Sequence, residues 1–115
     1  MRFSCRTDTG TTDFEEFVRI DVTGRDDAMA WQTDHRINSP YPLRHNGTNI
    51  HVVEQGDDAA TFASYIFVTH IVEGAVANLS SAIVNGAVSV EDGDVRIARL
   101  EVVLDTMHSV LFSER

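Results

Sequence analysis

Gly56-Asp57-Asp58-Ala59-Ala60-Thr61-Phe62-Ala63-Ser64-Tyr65-Ile66-Phe67-Val68-Thr69-His70-Ile71-Val72 opens on a turn and then runs without a charge. β-Branched and aromatic residues dominate it, which suits a pleated strand better than a helix. Ala60, Phe62, Ile66, Val68 and Val72 share one face, and Ala59, Ala63, Tyr65, Phe67 and Ile71 the other. Neither face is polar, so both need cover. The neighbouring segments alternate in the same way. His45 to Gln55 precedes the turn at 56–58, Val76 to Glu91 follows the turn at Glu73-Gly74, and Glu91-Asp92-Gly93-Asp94 signals a hairpin into Val95 to Leu104. These four strands form an antiparallel meander.

Upstream, Phe14 to Val22 is a short strand candidate, and residues 1–13 read as a loose tail. Thr23 can cap a helix with Asp26 answering it, and Ala28, Trp31 and His35 fall on one face of a helix over 26–35. Asn38-Ser39-Pro40-Tyr41-Pro42 ends it. The expected fold class is α+β: a tail over 1–13, then one domain over 14–115 in which a curved antiparallel sheet wraps over a helix. One short helix cannot cover both sheet faces, so a homo-oligomer, dimer or trimer, is expected through the outer face.

Composition narrows the function. The chain has 115 residues, 43% of them hydrophobic, and a formal charge of −9. That charge opposes nucleic acid and anionic membrane surfaces. One cysteine, Cys5, rules out an internal disulfide, and no signal-like segment opens the chain, so a cytoplasmic location is expected. No His-x-His, Cys-x-x-Cys or His-Glu-x-x-His spacing suggests a metal site, and no glycine-rich phosphate loop a nucleotide. No cofactor is expected.

Gly24-Arg25-Asp26-Asp27-Ala28, Arg44-His45-x-x-Thr48-Asn49, Gly56-Asp57-Asp58-Ala59-Ala60, Tyr65-x-x-Val68-Thr69-His70 and Glu91-Asp92-Gly93-Asp94-Val95-Arg96-Ile97-Ala98-Arg99 occur in one order. In that order the chain resembles the SnoaL-like domain, whose cone-shaped fold is shared by nuclear transport factor 2, ketosteroid isomerase, scytalone and bile acid dehydratases and ring-hydroxylating dioxygenase β subunits. The resemblance covers about residues 14–112 and implies a deep, apolar pocket. It puts His45 and His70 at the pocket histidines of the dehydratases, and Asp21 near the general base of the isomerase. The family commonly opens with two or more helices, whereas 13 residues precede the first expected strand here.

The implied activity is a cofactor-independent lyase or isomerase acting on a hydrophobic cyclic molecule such as a steroid, polyketide or aromatic. Elimination or isomerisation beside a carbonyl needs a base for a carbon-bound proton and a donor for the developing enolate. His45, His70 and Asp21 are the catalytic candidates, with Tyr65, Val68, Trp31 and Asn49 as substrate contacts. His35, His51 and His108 read as surface or structural residues, and Arg96 and Arg99 fall on opposite faces of their strand. A different reading is a non-catalytic ligand-binding or structural subunit resembling a dioxygenase β subunit, with an oxygenase α subunit as partner.

Overall fold

A computed structural model describes residues 1–8, 20–39, 42–106 and 109. Its elements are β1 (Arg2–Thr7), β2 (Ile20–Thr23), α1 (Arg25–Ile37), β3 (Leu43–Gln55), β4 (Ala59–Val72), β5 (Ala75–Glu91) and β6 (Asp94–Leu104). The six strands form one curved sheet in the order β2-β1-β6-β5-β4-β3. All neighbours are antiparallel except β1 and β6, which run parallel.

The meander follows from its turns. Glu73 and Gly74 have φ of 51° and 78°, and Asp92 and Gly93 have φ of 52° and 81°. Two consecutive left-handed residues are the turn that matches the twist of paired strands. The remaining connection closes at residues 56–58, where the Gly56 N–H donates to the Ala59 carbonyl at 2.8 Å.

Residues 2–7 are a strand, where the sequence suggested a loose tail. Phe3, Cys5 and Thr7 point inward and are buried, with Arg2, Ser4 and Arg6 between them on the other face. Phe3 pairs with Leu100 on β6 and Val22 on β2, so β1 lies between two other strands. Of the strand expected at 14–22, residues 20–22 belong to β2, and 14–19 lie outside the described residues. The apolar ending at 110–112 and His108 lie outside them as well.

The helix begins without the expected side-chain cap. Thr23 is held in β2 opposite Arg2, and Gly24, at φ 104°, makes the turn into α1. Asp26 and Asp27 in the first turn and His35 and Arg36 in the last complement the helix dipole instead. Ala28 is 1% exposed and packs in a core with Phe3, Cys5, Ala82 and Leu104, flanked by Trp31, Ile66 and Val102. This defines the inner face of the sheet. Gly86 lies on it opposite Phe62, whose ring occupies the space a Cβ at residue 86 would need.

Cys5 belongs wholly to this core. Burial pushes its thiol up to about 11, because an apolar site disfavours the thiolate. We expect no reaction with a thiol reagent such as dithionitrobenzoate in the native state and full reaction in denaturant. Rapid native labelling would mean that β1 leaves the sheet.

Candidate functional site

His45 lies on β3 opposite Val68, and His70 lies on β4 opposite Leu43. Cross-strand partners share a face, and so do residues two apart in one strand. His45, Val68 and His70 therefore all stand on the inner face with Ile66, the face that α1 covers nearer β1. The two histidines are diagonal neighbours, a spacing of about 7–8 Å in a regular ladder.

A third histidine joins them. His35, in the last turn of α1, stacks on Trp31 with ring centroids 4.9 Å apart and planes 7° apart, and Trp31 in turn meets Phe3 at 5.3 Å. The His45 pKa is held below its ordinary value, first by partial loss of water and second by repulsion from His35. The sequence reading set His35 aside as scattered. Its place on one helical face with Ala28 and Trp31 was the available signal, but only the fold brings that face toward β3.

The other candidates separate. Asp21 is on the outer face, opposite Ser4. Arg2 grips it with two of its guanidinium nitrogens, Nε donating to Oδ1 at 2.9 Å and Nη2 to Oδ2 at 2.7 Å. That ion pair holds the Asp21 carboxyl below the usual carboxylate range. A carboxylate bound this way, with the sheet between it and the histidines, is not a base for their pocket. We expect Asp21→Asn to leave ligand binding at His45 and His70 unchanged, read by NMR titration. A matching loss of binding would return Asp21 to the site.

Tyr65 also faces outward and is 54% exposed. With Thr48, Phe67, Ser81, Ile83 and Asp105 it lines a shallow, open groove of about 440 Å³ on the face away from the histidines. Asn49 sits at φ 53° in an irregularity of β3, between the pairs Thr48–Tyr65 and His51–Ala63. Its left-handed backbone breaks the ladder there and leaves the side chain exposed. Val68 pairs with His45 across the strands, and Trp31 stacks on His35. Arg96 and Arg99 both face outward, because a bulge at Ala98 leaves them opposite Ser89 and Ala87, which share a face. Among the described residues no three His, Cys, Asp or Glu side chains gather as a metal-binding group.

No family profile and no curated protein sequence matches the chain. Solved structures do match. A protein of Novosphingobium aromaticivorans, described as NTF2-like with a cystatin-like fold, superposes with a TM-score of 0.70 at 20% identity, over 94% of this chain and 63% of its own. The chain has the nuclear transport factor 2-like fold. A Mycobacterium tuberculosis protein of unknown function superposes with a TM-score of 0.69 at 20% identity, over 93% of this chain and 54% of its own. A second Novosphingobium aromaticivorans protein, assigned as the β subunit of an aromatic-ring-hydroxylating dioxygenase, gives 0.66 at 11% identity, over 95% and 71%. The chain spans 54–71% of the length of these three structures. The fold expected from the sequence motifs is thus the fold observed. No described helix of this NTF2-like chain is long and apolar enough to cross a membrane.

Proposed function

We propose that the inner face carries an acid–base site, and that the protein is a cofactor-independent lyase or isomerase of dehydratase type. Its substrate class is a hydrophobic cyclic molecule such as a steroid, polyketide or aromatic. The observation that carries this reading is the pairing of His45 and His70 on one face, with His45 biased toward its neutral form. A neutral imidazole at neutral pH can take a carbon-bound proton. His70 then supplies a hydrogen bond to the oxygen on which charge develops. Trp31 and Val68 offer the apolar contact that orients a ring. We place the protein in the cytoplasm.

A second reading has its own support. Tyr65, Phe67 and Ile71 leave an exposed apolar strip on the outer face, at 54%, 39% and 46% exposure. With the fold shared by a dioxygenase β subunit, that strip suits a homo-oligomer or an oxygenase α subunit in a non-catalytic assembly.

The test is a histidine pH titration by NMR, with and without a panel of steroid, polyketide and aromatic ketones. His45 should titrate below an ordinary histidine, and His45 and His70 should shift together when a ligand binds. Histidines indifferent to every ligand, alongside a stable complex with an oxygenase α subunit, would replace the first reading by the second.

A further inference from the structure

The inner face has two ends. One carries α1 and the histidines; the other lies farther along the strands, away from the helix, whose packing runs to β1, β2 and the core around Ala82 and Leu104. At this second end the register gathers Val52, Phe62, Val88, Val90, Val95 and Ile97 on one surface. Val52 is 57% exposed and Val95 70%, with Val90 and Ile97 also exposed. Nothing among the described residues covers them. An apolar sheet face is stable when another layer lies on it, and a helix is the usual layer.

Charge identifies the kind of layer. The Val90 N–H donates to the Asp58 carbonyl at 2.8 Å, which brings the turn at 56–58 beside the β5–β6 hairpin. Asp57 and Asp58 stand at the tip of the first and Asp92 at the tip of the second, all exposed, while Glu54, Glu91 and Asp94 stand on the outer side of the same rim. Arg96, on the outer side, lies 3.7 Å from Glu91 and 3.8 Å from Asp94, and among the described residues no ion pair engages Asp57, Asp58 or Asp92. A second copy of the chain, itself at −9, would bring like charge to this rim.

We propose that this end of the sheet is a docking surface for a cationic amphipathic helix of a partner protein. The apolar stripe of that helix lies across Val52, Phe62, Val90 and Ile97, and its Lys and Arg side chains reach the two acidic turns. The surface is separate from the histidine site, so either assignment can fail without the other.

The test uses the full chain and two synthetic helical peptides with the same leucine stripe, one with a lysine polar face and one with a glutamate polar face. Binding is followed by fluorescence anisotropy and mapped by NMR. The lysine peptide should bind saturably, shifting Val52, Val90, Val95 and Ile97, and weaken at least about tenfold between low and 0.5 M salt. Asp57→Asn with Asp58→Asn and Asp92→Asn should weaken it about tenfold. Asp26→Asn with Asp27→Asn, on α1, should not. Val95→Ser, at an exposed position that tolerates change, should also weaken it. Equal binding of the glutamate peptide, equal loss from the α1 variant, or shifts centred on the outer face would overturn the proposal. So would sedimentation showing that the chain alone self-associates through these same residues.

Discussion

Phe3→Ala should cost about 3–5 kcal/mol of folding stability, the range for truncating a buried aromatic. Phe3 is 4% exposed, and its ring meets Trp31 as well as the strand neighbours Leu100 and Val22. The loss is large because the core is small: among the described residues only Phe3, Cys5, Ala28, Ala82, Val84 and Leu104 are buried hydrophobics. A domain of this kind holds roughly 5–15 kcal/mol in total. Urea denaturation followed by circular dichroism is the measurement, with Phe3→Leu as the control that keeps most of the volume. A Phe3→Ala midpoint equal to that of the parent chain would mean that β1 is not held in the sheet.

His45→Gln should reduce turnover by a factor on the order of 10²–10⁴, the usual contribution of a positioned general base. Because His45 is exposed as a whole residue, the substitution should leave the denaturation midpoint near that of the parent. The pH profile gives a sharper check. A base must be deprotonated, so activity should rise with pH through the His45 pKa, which lies below the ordinary 6.5. His35→Ala removes the smaller of the two causes of that shift, the like charge, and should move the limb toward higher pH. An unmoved limb would detach His35 from the site.

The same shift has a sign for stability. The folded chain binds the His45 proton less tightly than the unfolded chain does. Its contribution is therefore fully present above the unfolded value near 6.5 and is lost as pH falls through the lower folded value. Acidification should destabilise the parent more than His45→Gln.

Much of the architecture was legible because the signals were local. The strands expected at 45–55, 59–73, 76–91 and 95–104 match β3 to β6 within two residues at each end. Their turns carry glycine where a positive φ is needed, at Gly74 and Gly93. β1 escaped notice because Arg2-Phe3-Ser4-Cys5-Arg6-Thr7 offers only two large apolar positions. Its burial comes from distant partners, Leu100 and Val102, which no short window contains. His45 and His70 were singled out by the family resemblance, and the register puts both on one face, whereas His35 needed the packing of Trp31 to point it toward β3. Asp21 was misjudged for the converse reason: proximity in sequence to the helix says nothing about which side of the sheet a carboxylate faces. The arginine pair was misjudged because a bulge at Ala98 resets the alternation, and no residue type announces one.

The parallel pairing of β1 with β6 also sets an order of events. Residues 2–7 leave the ribosome before the other strands of the sheet, yet their central partners are residues 99–104, more than ninety residues later. Closing so long a loop is entropically costly and gains nothing until the late strand is in place. On the ribosome the meander of β3 to β5 can pair as it emerges, while Phe3 and Cys5 stay solvated until β6 is free. The earliest strand of the sheet is then among the last to dock, and until it does the apolar edge of β6 is open to other chains.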